Sequence, residues 1–253
     1  MAVKRSQSAT RVLSVLEAVA ARHPIGVSAL AKLLDDDRSA VNRAVMTLAD
    51  AGWIRPAHGA GSRWELSPRL FAIAHLPDNL NDLRARGRAV VDRLRDRTGE
   101  TIFLAVPDVN RFLVVESAES PHALRMSSRI GQVFQSPDSA TGRALLPYFD
   151  GERQALMLGR APDARDLDEF AATRARGHSL SAGDVMPGVT NLAAAVFDTR
   201  AEPIAALVLT GPSERVTPER HAELGALLAE GAAWLSRDGA RASTFAMEQA
   251  ATG

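Results

Sequence analysis

Residues 37–52 read DRSAVNRAVMTLADAG. Val41, Ala44, Val45, Leu48 and Ala51 return at three- and four-residue intervals, so a helix would gather them into one apolar stripe. The opposite side opens with Arg38, Ser39, Asn42 and Arg43, followed by Met46 and Thr47. These short or fork-shaped polar side chains crowd the N-terminal half. A recognition helix needs that arrangement, because its first turns enter the DNA major groove while its rear packs on a scaffold. Asp37 is a suitable N-cap and Gly52 a suitable stop. Taken alone, the same stretch also describes an ordinary solvated helix with two arginines, and its neighbours decide between the two.

Upstream, Thr10–Arg22 places Val12, Val15, Leu16, Val19 and Ala20 on one helical stripe, which Pro24 and Gly26 interrupt. Ser28–Leu34 reads as a second short helix with Leu30, Ala31, Leu33 and Leu34 turned inward, and Asp35–Asp37 form the turn into the third. Three short helices with a tight second connection make a helix-turn-helix. Downstream, Trp53-Ile54-Arg55 and Arg63-Trp64-Glu65-Leu66 flank a turn containing Gly59 and Gly61, the pattern of a β-hairpin. A hairpin directly after a recognition helix is a wing, and it places Arg55, His58 and Arg63 near backbone phosphate or the minor groove.

The formal net charge of the 253-residue chain is zero, but it is unevenly divided. Residues 1–75 carry ten Lys or Arg against six Asp or Glu, a net of +4, and residues 76–253 carry twenty against twenty-four, a net of −4. A basic first third suits a module that meets phosphates, joined to one that does not. The chain has no cysteine, which excludes disulfides, thiolate metal sites and cysteine nucleophiles. Neither a signal peptide nor a membrane-length apolar run is evident, so the expected location is the cytoplasm.

After a short apolar helix at Leu70–Leu76, residues 77–98 read as a linker helix with Leu80, Leu83, Val90, Val91 and Leu94 along one side. Its other side mixes six arginines with Asp82, Asp92 and Asp96, a pattern equally suited to solvent or to a dimer contact. Gly87 in its middle costs about 1 kcal/mol against alanine, so packing must hold the helix. From Gly99 the periodicity becomes that of strands: Thr101–Val106, Phe112–Glu116, Leu124–Ser127 and Gln132–Phe134. Helices follow at Ser139–Tyr148, Glu152–Leu158 and Leu167–Arg176. Strands return at His178–Ser181, Leu192–Phe197 and Ile204–Thr210, before a closing helix at Pro218–Leu235. That order describes an α+β domain with an antiparallel sheet. The expected division is 1–76, 77–98, 99–238 and a flexible tail at 239–253.

Over nearly its whole length the chain resembles the IclR family of bacterial transcription regulators. The segments carrying the resemblance, in the family's order, are SATRVLSVLEAVA, VSALAKLLDDDRSAVNRAVMTLADAGWI, GETIFLAV, SATGRALL, ARGHSLSAGDVMPGV and AAAVFDTRAEPIAALVLTGPSER. The resemblance implies an N-terminal winged helix-turn-helix, a linker helix and a C-terminal effector domain of GAF-like shape. It also implies a homodimer or pair of dimers on a palindromic double-stranded DNA operator. Pro137 stands where the family often has histidine, Arg143 where lysine is common, and Asp184 where glutamate is usual.

For DNA, Arg38 and Arg43 suit guanine or phosphate, Asn42 suits adenine, and Ser39 and Thr47 suit phosphate, with Arg55 and Arg63 on the wing. For the effector, Ser139-Ala140-Thr141-Gly142 stands at a helix start, where unpaired N–H groups favour a carboxylate, although plain capping explains the same residues. Ser181 and Asn191 match family positions lining the effector pocket, Thr210 faces them from a strand, and Val208 replaces a serine found in some relatives. Together they form a small polar cup suited to an organic acid. No nucleophile elbow, metal-binding H-E-x-x-H helix, P-loop or dinucleotide fingerprint occurs, and the six histidines are scattered. No catalytic residue, metal or cofactor is therefore expected. The competing reading is a small-molecule-binding metabolic protein with a vestigial helix-turn-helix.

Overall fold

Ser6 opens the first helix: its hydroxyl accepts a hydrogen bond from the Ala9 amide, and α1 runs Gln7–Arg22. The computed structural model describes residues 6–59, 62–74 and 79–236, in two units divided between Asp78 and Asn79. In the first unit, β1 (Ile25–Gly26) leads into α2 (Val27–Leu34), and α3 spans Arg38–Asp50. Val15, Val19, Leu30, Val41, Val45, Leu48 and Ile54 form the core.

Leu33, expected inside, is exposed. With only two turns, α2 turns Val27, Leu30, Ala31 and Leu34 inward at the helical period, and Leu33 falls outside that arc. Ala51 and Ala20 are likewise exposed, and Ala40 and Ala18 take the buried places. The wing is β2 (Ile54–Pro56) paired with β3 (Arg63–Leu66), and β1 adds a third strand with Ile25 opposite Trp64. Two residues beside a proline are too few to show strand alternation in the sequence, which is why β1 escaped notice there. Gly61 of the expected wing turn lies outside the described residues, as do His75 and residues 239–253. Helix α4 spans Pro68–Ala74, so Leu76, expected to end it, also falls outside them.

In the second unit, a six-stranded antiparallel sheet has the order β6-β5-β4-β9-β8-β7. The strands are β4 (Thr101–Asp108), β5 (Arg111–Ala118), β6 (Val133–Phe134), β7 (Ser179–Ala182), β8 (Val189–Phe197) and β9 (Pro203–Pro212). Side chains alternate between its faces. Ile102, Leu104, Leu192, Leu207 and Leu209 meet α5 (Asn79–Thr98) and α9 (His221–Ser236) on one side. Phe103, Ala105, Ala193, Ala206 and Val208 meet α6 (Ala140–Leu145), α7 (Gly151–Leu158) and α8 (Ala164–Arg176) on the other. The run Leu124–Ser127, expected as a strand, is irregular chain: Leu124 is exposed, and the segment is tied down by the Thr101 hydroxyl donating to the Met126 carbonyl at 2.5 Å.

Helix α5, read from the sequence as a linker, lays Leu83, Val91 and Leu94 into this unit's core. Its arginines hold it there. Arg84 Nε donates to the Val115 carbonyl, Arg86 Nη1 to the Leu235 carbonyl, and Arg88 Nη1 to the buried Glu116 carboxylate at 3.0 Å. Gly87 is where the helix comes nearest the sheet: a Cβ there would lie 2.9 Å from Leu104 Cδ2.

Candidate functional site

The first unit presents the exposed face of α3. Asp37 caps the helix, accepting from the Ala40 amide at 2.9 Å, and also takes the Ser39 hydroxyl proton at 2.5 Å. Those hydrogen bonds, the Ser39 hydroxyl's first, hold the Asp37 carboxyl below the usual range. Ser39 accepts in turn from Arg43 Nη1 at 3.3 Å, and Thr47 donates to the Arg43 carbonyl at 2.9 Å. Ser39 therefore already donates within its own helix, whereas Arg38 and Asn42 have no side-chain partner among the described residues. On the wing, Arg55 pairs with Glu65 directly across the strands at 2.8 Å, and Arg63 has no partner among the described residues. The structure thus brings Arg38, Ser39, Asn42, Arg43 and Thr47 onto one face, with the side chains of Arg38, Asn42 and Arg63 free to meet a ligand.

A residue that sequence reading passed over aims this helix. Asp36 accepts from Arg11 Nε at 2.5 Å and Nη2 at 3.3 Å, and from the Asp37 amide at 2.8 Å. It ties α1 to the turn before α3, and the Arg11 guanidinium holds its carboxyl below the usual range. The signal was present in the Asp35–Asp37 run, but nothing in the sequence says which aspartate finds a partner.

In the second unit a cavity of about 330 Å3 opens between α6 and the sheet. Ser139, Ala140, Thr141, Asn191, Val208 and Thr210 line it. Asn191 stands directly opposite Thr210 across β8 and β9. Thr141 and Thr210 are 2% and 5% exposed, and neither hydroxyl has a hydrogen-bond partner among the described residues. Phe103, Val114, Phe134, Val189 and Met186 supply an apolar wall, and no charged side chain is part of the lining.

Two expected residues stand off this wall. Gly142 has its side-chain space filled by the Pro137 carbonyl, 2.2 Å from where a Cβ would sit, so it allows a close backbone approach. Ser181 sits opposite Asn191 on β7, buried, its hydroxyl without a partner. Ser139 reaches the cavity, yet its hydroxyl accepts from the Gly142 amide at 3.1 Å and donates to the Ser136 carbonyl at 2.7 Å. Its capping role is therefore filled. Sequence reading missed the wall contributed by residues 126–128, because a strap with no regular periodicity carries no pattern to read.

Residues 79–237 match the family described as bacterial transcriptional regulator IclR C-terminal, and residues 8–57 match the IclR helix-turn-helix domain. The chain belongs to the IclR family. It is similar to the transcriptional repressor IclR of Escherichia coli strain K12, at 27% identity over 89% of this chain and 87% of that one. Similarity to the glycerol operon regulatory protein of Streptomyces griseus is also 27%, over 92% and 96%. An IclR homologue from Microbacterium hydrocarbonoxydans, solved in complex with 4-hydroxybenzoate, shares the fold with a TM-score of 0.73. Its identity is 20%, over 91% of this chain and 98% of that one. As an IclR-type protein the chain is a DNA-binding transcription regulator with an effector-binding domain, in a family of regulators, not enzymes. Among the described residues no helix is long and apolar enough to cross a membrane, and no cluster of His, Asp or Glu is placed to hold a metal ion.

Proposed function

We propose that this regulator works in the cytoplasm as a homodimer or dimer of dimers on a palindromic operator. The α3 face and wing of residues 1–76 read the DNA, and a small organic acid in the second unit adjusts the spacing of the paired recognition helices. The observation carrying this reading is the pair of unpartnered hydroxyls of the largely buried Thr141 and Thr210 on a cavity wall in a chain that also presents Arg38, Asn42 and Arg43 on one exposed helix face. Polar groups on largely buried residues are normally hydrogen-bonded, so two hydroxyls left free on one cavity wall suit a ligand that accepts from them. Because the lining holds no charged side chain, the acid is a single carboxylate on an apolar body, held by neutral donors. Dianions, whose desolvation would go uncompensated, are excluded. Coupling between such sites is typically about 1–3 kcal/mol, enough for a severalfold change in operator occupancy.

The test begins with genomic fragments recovered by the purified full chain. On such a fragment Arg43→Ala weakens binding about tenfold or more, the consequence of losing one good base or phosphate contact. Unchanged gel-shift affinity removes Arg43 from the interface.

A further inference from the structure

Beside the strap of residues 126–136, two further pieces of chain far apart in sequence line the cavity. One is α6, which contributes Ala140 and Thr141. The other is the connection between β7 and β8, which contributes Val185 and Met186. Val185 and Met186 are 50% and 51% exposed while also lining the cavity, so they lie between it and solvent. The connection is bounded by two glycines at positive φ, Gly183 at 80° and Gly188 at 77°. Its backbone ties are local or near its base: Gly183 N–H donates to the Val189 carbonyl, the Met186 carbonyl accepts from the Val189 N–H three residues on, and the Gly188 carbonyl accepts from Ser213.

Between those glycines, residues 184–187 make one side-chain tie among the described residues. Arg143, one turn along α6 from Ala140, donates through Nη1 to Asp184 Oδ2 and to the Leu180 carbonyl, both at 2.9 Å. Neither Arg143 nor Asp184 lines the effector cavity; both face a separate, larger hollow beside α8. The ion pair therefore ties the connection to α6 from outside the cavity. It neither fills the cavity nor offers a group to its contents.

We propose that residues 184–187 are a lid over the effector cavity and that the Arg143–Asp184 pair is the latch holding it against α6. Arg143 and Asp184 are positioning residues: they set how often the cavity opens, and hence how quickly a ligand enters and leaves. The lid rests on the cavity being the effector site, as proposed above, whereas the latch can be tested without any ligand. Arg143 is largely covered and Asp184 is 43% exposed, so the pair is strong enough to bias a short connection and weak enough to release it. Its exposed partner makes it sensitive to salt.

The absence of cysteine allows a clean assay. In the full-length, ligand-free protein, Val208→Cys places the chain's single thiol on the cavity wall, at a position 1% exposed. A soluble thiol reagent then reports opening. Adding Asp184→Asn accelerates labelling about 1.5-fold to fivefold, the factor expected for losing a partly exposed ion pair. Salt accelerates the single variant and leaves the double variant flat. Combining Arg143→Asp with Asp184→Arg restores slow labelling.

Ala194→Cys, buried in the core on the opposite sheet face, reports global opening, and its labelling stays unchanged by Asp184→Asn. Equal labelling of Val208→Cys with and without Asp184→Asn overturns the latch. So does an equal acceleration at both thiols, which would mean general loosening. Failure of the effector reading shows separately, as an acid panel that never shifts the melting temperature of the full chain.

Discussion

Replacing Thr210 by valine separates what the folded chain needs from what its ligand needs. The substitution keeps the branched shape of a residue only 5% exposed and deletes one hydroxyl, which has no partner among the described residues. An unpaired buried polar group costs about 1–3 kcal/mol. Thr210 reaches a cavity open to water, so part of that cost is already recovered, and the ligand-free variant gains at most about 1 kcal/mol. For a protein of this size that raises the melting temperature by roughly 2–4 °C. A hydrogen bond to a carboxylate is worth about 1.5–3 kcal/mol, so the same change weakens an acid ligand about 10- to 150-fold. Stability and affinity move in opposite directions.

Scanning calorimetry of the full chain reads the first effect, and titration with a monocarboxylate that shifts the wild-type transition reads the second. Ser181→Ala is the internal control: it removes a partnerless buried hydroxyl off the cavity wall, so it raises stability with little change in affinity. A Thr210→Val protein that melts several degrees lower, or binds the acid as tightly as wild type, refutes the reasoning.

Two further outcomes follow from the charged pairs. Glu100 is fully buried and accepts from Arg215 Nε at 2.5 Å and Nη2 at 2.8 Å. Arg215→Met therefore destabilises the second unit by about 3 kcal/mol in chemical denaturation, whereas Glu100→Gln with Arg215→Met costs less because no unpaired charge remains; equal losses would show that the charge is not the cause. In the first unit, the Arg11 guanidinium holds Asp36 below its unfolded value. That stabilisation is complete above the unfolded carboxylate pKa near 4 and is lost as the pH falls through the lower folded value. Arg11→Ala accordingly moves the acid-unfolding midpoint, followed by circular dichroism, to higher pH, and an unmoved midpoint removes Asp36 from the acid-sensitive set.

The legible parts of this protein were those with a strong local period. The stripe Val41–Leu48 places buried residues at intervals that only a helix satisfies, and the β-rich runs at 101–106 and 112–116 flank a Pro-Asp-Val-Asn turn that only a hairpin explains. The N-caps Asp37 and Ser139 were legible for the same reason, since a short acceptor before an apolar run satisfies orphan amides within three residues. Illegible were contacts set by chain segments far apart. Arg84, Arg86 and Arg88 read as suited to solvent or to a dimer contact because their partners, at Val115, Leu235 and Glu116, stand 28 to 149 residues away.

The same division runs through the candidate site. Sequence by itself determined which residue types were available: hydroxyls at 139, 141 and 210, an amide at 191, and a basic polar face at 38–47. Tertiary structure decided which of them remain free. It committed Ser139 to a cap, set Ser181 off the wall, gave Gly142's side-chain space to the Pro137 carbonyl, and left Thr141 and Thr210 without partners. The physical reason is that hydrogen-bonding capacity belongs to a side chain, whereas its satisfaction depends on what the rest of the fold brings within three ångströms of it.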